Sequence, residues 1–236
     1  MPVGIFRSNR RLNRNSPWVI YSVMALCILV YVLDTVSGWI NSQIYGFNAY
    51  GWLSILGMKD NEFILAGQGW RFLTANFLHG GIQHILFNMF SLYMWGRFVE
   101  GIYGHGKTAL IVLASALMTT AVSFAFSPNN SLGASGIAFG LMGALLAFGR
   151  HNRAAFERFF GGGMTAMVVV NLMYGFFASS IDGFGHLGGL IGGFLGAMAA
   201  AGMIRKRTTK ETLPATAVFG LALAAAVAIG WFRWQS

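Results

Sequence analysis

Ser135, His186, His84 and Asn88 are the residues of this 236-residue chain best suited to chemistry, because each stands in or beside a long apolar, glycine-rich run. A serine hydroxyl is a weak nucleophile until a histidine within about 3 Å can take its proton. His84 and Asn88 are four residues apart, so on a helix they share one face and can point at the same oxygen. The set suits a reaction in which serine attacks and histidine carries the proton.

Something must hold these residues, and composition says it is a membrane bundle. Only 10% of residues are charged and 56% are hydrophobic, against about 25% charged in soluble domains. Apolar runs long enough to cross the roughly 30 Å hydrocarbon core recur along the chain. Alternating strands of the barrel kind are absent, so the fold class expected is an all-α polytopic transmembrane bundle with seven predicted spans. These run from Trp18 to about Val36, His84 to about Trp95, Thr108 to Phe126, Gly136 to Phe148, Met164 to Ser179, Phe184 to Met203 and Ala215 to Phe232. The second and fourth are short for a bilayer, which predicts a thin region or helices that begin inside a cavity.

Residues 1–17 form a basic segment, 18–203 one membrane domain with an interfacial loop at 37–83, and 204–236 a turn with an extra C-terminal span. The loop holds Trp39, Tyr45, Tyr50, Trp52 and Trp70, residues that favour the headgroup level. The basic start and first apolar run read as a retained signal anchor, since no small-residue cleavage site follows.

Orientation follows from Lys and Arg placement. Thirteen of the sixteen fall on one side of the seven spans, with only Lys59, Arg71 and Arg233 on the other. That bias puts the N-terminus in the cytoplasm and the C-terminus outside, in an inner or plasma membrane. The net charge of +9 therefore flanks spans, where it can meet anionic headgroups, and no nucleic-acid surface is visible. Cys27 lies within an apolar run and reads as packing.

On this topology Ser135, His186, His84 and Asn88 converge near the outer face. Singly, each has a plain structural reading: a helix-capping serine, a satisfied buried histidine, an interhelical hydrogen-bond pair. Their coincidence at one depth favours a site, because polar side chains within spans are costly. The spacings Gly185, Gly189, Gly193 and Gly188, Gly192, Gly196, with Gly136, Gly140 and Gly143, let helix backbones approach closely enough for the pair to meet.

Two motifs are set aside. Gly101 to Thr108 matches the P-loop letter for letter, but no strand precedes it. Ile137 replaces the last glycine of the G-x-S-x-G elbow. No metal is expected at His79, His84 and His186, because no acidic ligand accompanies them.

The chain resembles the rhomboid family of intramembrane serine proteases over roughly residues 65 to 203. The marks are Trp70-Arg71, then His79, His84 and Asn88 as H-x4-H-x3-N, Glu100 in the turn after the second span, Gly133-x-Ser135-Gly136, and His186 in a glycine-rich span. The resemblance implies a six-helix core with a seventh helix appended. It implies Ser135 as nucleophile, His186 as general base, and an oxyanion hole from His84, Asn88 and the Ser135 amide. Phe139 stands where relatives often carry Tyr, so it can pack on the histidine ring without offering a hydroxyl.

The expected activity is cleavage of transmembrane segments of other membrane proteins in the bilayer, by a dyad, with no cofactor. Asp182 is expected to be a solvated turn residue rather than a third member. The rivals are a catalytically silent rhomboid-like protein that binds membrane clients, and a transporter. No oligomeric state is expected from any feature of the sequence.

Overall fold

The structure, a computed structural model, describes residues 16–45, 51–202 and 209–235. The basic segment 1–15, residues 46–50 with Tyr50, and residues 203–208 with Arg205, Lys206 and Arg207 lie outside them. The described residues form eleven α-helices and a 3-10 turn, with one isolated antiparallel bridge, Lys59 to Ser131. The chain is an all-α, multi-pass integral membrane bundle.

In order the helices are α1 (Trp18–Tyr45), α2 (Trp52–Gly57), α3 (Asn61–Leu65), α4 (Arg71–Thr74), α5 (Ile82–Tyr103), α6 (His105–Phe126), α7 (Ser135–His151), α8 (Arg153–Phe159), α9 (Gly163–Phe177), α10 (Gly183–Gly202) and α11 (Thr209–Trp234), with the 3-10 turn at Ala75–Phe77. By length and composition α1, α6, α10 and α11 can each cross a membrane, and α8 with α9, bent by 75° at their break, adds a fifth when the pair is taken as one span.

Of the remaining two helices of the expected seven, α7 is the interior one, whereas α5 keeps an exposed apolar face at Leu86, Phe87 and Phe90. Gly136 to Leu145 of α7 is buried without a break, so this 17-residue helix is surrounded by protein and need not match the bilayer thickness.

Two expected boundaries are corrected. The first span does not stop at Val36, because Trp39, Ile40 and Ile44 extend an apolar face and α1 runs to Tyr45. The expected loop at 37–83 therefore begins later and contains three short helices. Nor does the second helix end near Trp95. It continues through Arg97 to Tyr103, so Glu100 is helical rather than in a turn. Glu100 is buried, and its carboxylate accepts from Val19 N at 2.9 Å and Ile20 N at 3.0 Å while contacting His105. A carboxylate on the free amides of a helix start is favourable, which is why this acid is tolerated inside the bundle.

Glycine sets the central packing. A Cβ at Gly189 or Gly193 of α10 would fall on the backbone carbonyls of Gly136 and Gly140 in α7, and one at Gly188 or Gly192 on those of Met118 and Ala114 in α6. Thus α10 lies against two helices at once, one glycine row toward each, and no side chain separates the backbones.

The stretch between α1 and α5 is pinned by buried cations. Arg71 is 1% exposed, donating to Met58 O at 2.6 Å, Ile55 O at 2.9 Å and Gln68 Oε1 at 2.9 Å. Hydrogen bonds from a charged donor contribute roughly 1.5–3 kcal/mol each. Lys59, fully buried, donates to Ser127 O at 2.7 Å and Asn129 O at 2.8 Å, tying this stretch to the turn that precedes Ser135.

Burial lowers the Lys59 pKa to about 8 from 10.5, against the opposing pull of Asp182 and Asp60. Between those pH values the unfolded chain holds the lysine proton and the folded one has shed it, so this residue's contribution to stability rises with pH across that window. Thermal midpoints of the unmodified chain and Lys59→Met should therefore diverge in favour of the unmodified chain as pH rises from 8 to 10.5. A constant difference would contradict the assignment.

Candidate active site

Ser135 is the first residue of α7, and the helix-preceding position belongs to Ala134, which offers no side-chain cap. The capping reading of Ser135 therefore fails: its Oγ lies 2.8 Å from His186 Nε2 on α10. The expected pair meets across the α7–α10 glycine contact. Phe139, one turn further along α7, stacks on the His186 ring at 4.4 Å between centroids and 21° between planes, fixing the ring as expected.

His186 Nδ1 is buried with no hydrogen-bond partner. Asp182 thus does not complete a triad. It is also not the solvated turn residue expected. Half-buried, it accepts from Ser123 Oγ on α6 and, at 2.9 Å, from Gly185 N, while its carbonyl accepts from His186 N at 3.0 Å. This is an N-terminal cap that fixes the helix turn bearing His186, and sequence spacing signalled it: Asp182 lies three residues before Gly185 at the start of a helix.

On the opposite side α5 presents His84 and Asn88. Both point at Gly133: a Cβ there would lie 2.6 Å from His84 Nε2 and 3.4 Å from Asn88 Nδ2. Gly133 has φ of +129° and donates to Ala75 O at 2.9 Å. Only glycine combines that backbone conformation with that clearance. Asn88 Nδ2 is buried without a partner in the structure, a free donor facing Gly133.

His84 Nδ1 accepts from Gly80 N at 3.4 Å, which leaves the ring proton on Nε2, the atom facing Gly133. Behind His84 stands His79, edge to face at 5.2 Å between centroids. Burial, with His84 adding to it, holds the His79 pKa near 4 despite a nearby Phe77 carbonyl, so this ring is neutral at ordinary pH and packs rather than reacts.

Gly136 takes no part in catalytic geometry directly. A Cβ on it would strike Thr119 of α6, so it is a packing residue. Trp70 and Arg71 bond within the stretch between α1 and α5. Trp70 is exposed with Nε1 bonded to Leu56 O at 2.9 Å, and Arg71 is the staple described above. Among the described residues no cluster of His, Cys, Asp and Glu could hold a metal ion.

Chemically the arrangement offers a hydroxyl bonded to an imidazole at a helix start, with two side-chain donors facing Gly133 two residues earlier in the chain. That is what attack on a carbonyl and stabilisation of the resulting oxyanion require.

Residues 66–203 match the Rhomboid domain family. "Rhomboid protease GluP" of Bacillus subtilis (strain 168) is 40% identical over 211 residues, covering 89% of this chain and 38% of that protein. "Rhomboid protease GlpG" of Yersinia enterocolitica is 36% identical over 181 residues, covering 74% of this chain and 59% of it. "RHOMBOID-like protein 4" of Arabidopsis thaliana is 34% identical over 146 residues, 61% of this chain and 37% of that protein. The chain thus spans less than two thirds of the length of these relatives. With more than half of its residues inside the family's domain, it belongs to the rhomboid family.

Proposed function

We propose that this protein is an intramembrane serine endopeptidase that cuts transmembrane segments of other membrane proteins. The observation carrying this reading is the 2.8 Å contact between Ser135 Oγ and His186 Nε2, with the unpaired donor Asn88 Nδ2 of α5 facing Gly133 two residues before the serine.

Ser135 gives its proton to His186 Nε2 as Oγ attacks the peptide carbonyl carbon. The oxyanion formed is met by Asn88 Nδ2, His84 Nε2 and the Ser135 amide. His186 passes the proton to the leaving nitrogen, the C–N bond breaks, and an acyl-serine ester remains. Water then repeats the sequence: it yields a proton to His186, attacks the ester, and frees Ser135. No cofactor enters any step.

The bias of Lys and Arg supports a cytoplasmic N-terminus, with the site and the C-terminus toward the outer face of an inner or plasma membrane. Six helices, α1, α5, α6, α7, α9 and α10, would form the working domain, 18–203, with α11 an addition. A protein that only escorts clients has no need of an aligned Ser135 and His186, and a transporter none of an acyl-transfer geometry.

A serine-directed fluorophosphonate, applied to the detergent-solubilised chain, is expected to label Ser135 and to block cleavage of a reporter membrane helix in parallel. Cleavage that continues after complete labelling would contradict the proposal.

A further inference from the structure

α9 has an inward row, Met164, Val168, Asn171 and Gly175, spaced at three and four residues so that all share one face. Three of the four are buried. Asn171 is exposed. The helix therefore stands off from its neighbours at that level and leaves an opening into which a carboxamide faces, in the middle of a span where hydrocarbon offers it nothing.

The depth of that opening is fixed by its neighbour in the row. A Cβ on Gly175 would lie 3.1 Å from His186 Nδ1 and 3.4 Å from Gly183 Cα, so Gly175 is level with the catalytic histidine. Asn171 is four residues back from Gly175, about 6 Å further from the α9–α10 connection and toward the middle of the bilayer. Its Nδ2 donates to Met167 O at 2.8 Å within its own helix. That leaves Oδ1 and the second amide hydrogen open, one acceptor and one donor on an exposed side chain.

Resting on the proposed protease function, we infer that Asn171 is a specificity-determining residue that hydrogen-bonds a polar side chain of the substrate on the bilayer side of the scissile bond. A distance of about 6 Å corresponds to two residues of extended chain or four of helix. The substrates favoured carry Asn, Gln, Ser or Thr two to four residues inward from the cut. A lipid chain filling the same gap satisfies neither open group, whereas a transmembrane segment with such a side chain satisfies both.

The test uses the full chain in liposomes and paired reporter helices, one with Asn and one with Leu at each of those three positions. Hydrogen bonds between spans are worth a few-fold to about tenfold, so the unmodified chain should cleave the best Asn reporter about 3- to 10-fold faster in kcat/KM than its Leu partner. In Asn171→Leu that ratio falls to about one, while Asn171→Gln, which keeps the carboxamide, retains a higher ratio than Asn171→Leu. A ratio unchanged in Asn171→Leu overturns the inference and leaves the protease reading intact, as does equal loss in both variants, which would mean that the position acts by shape. No cleavage of any reporter by the unmodified chain overturns both.

Discussion

Ser135→Ala and His186→Ala are each expected to lower kcat for a reporter membrane helix by on the order of 10⁶, below detection, and the double variant should be no worse than either alone. The non-additivity follows from the geometry. The hydroxyl and the imidazole are one hydrogen-bonded unit 2.8 Å across, so either deletion ends proton transfer. Both residues sit on helices whose contact is made by glycine backbones, so the truncated variants should fold and melt near the unmodified midpoint. Any rate that remains comes from the donors around Gly133, which still polarise a bound carbonyl. Cleavage at an undiminished rate by either variant would show that the nucleophile lies elsewhere.

These residues were legible in the sequence because a bilayer makes polar side chains conspicuous. In an apolar run a lone Ser135 or His186 needs a reason, and the spaced glycines of α10 supplied a means for the two to meet. The short length expected of the fourth span points to a thin region or a helix that begins inside a cavity, whereas the structure shows α7 enclosed by protein instead.

What stayed hidden depends on partners distant in the chain. Glu100 caps α1 from 80 residues away, Lys59 bonds a carbonyl 68 residues on, and Asp182 reaches Ser123 across 59. Neither Glu100 nor Lys59 carries a local signature that tells a buried anchor from a solvated charge, and the spacing of Asp182 to Gly185 signals the cap but not the bond to Ser123. The helix ends were misplaced for the same reason: Arg97 and Glu100 read as the end of α5, whereas the α1 amides and His105 make Glu100 an interior residue. The stand-off of α9 at Asn171 is likewise invisible to periodicity, which places that residue on the buried face.

Gly189→Ala, a single methyl group three residues, less than one turn, from the dyad histidine, should cost about 10² in kcat/KM. The added Cβ would fall on the Gly136 carbonyl, a backbone atom that cannot rotate away, and would also meet Thr119 Oγ1 at 2.8 Å. Relief requires α10 to move away from α7. His186 is three residues before Gly189 on α10, and Ser135 immediately precedes Gly136 on α7, so the displaced pair of backbones is the one that carries the dyad. A shift of about 1 Å lengthens the Ser135–His186 contact beyond hydrogen-bond range, and misplacement on that scale costs about 100-fold in rate. Leu190→Ala removes more side chain from the next position of the same helix without placing an atom between the α7 and α10 backbones. Reporter cleavage and thermal midpoints of both variants separate the cases. Gly189→Ala should lose more activity than Leu190→Ala at equal loss of stability, and activity that simply tracks stability in both would mean that the glycine contact supports the fold without aligning the site.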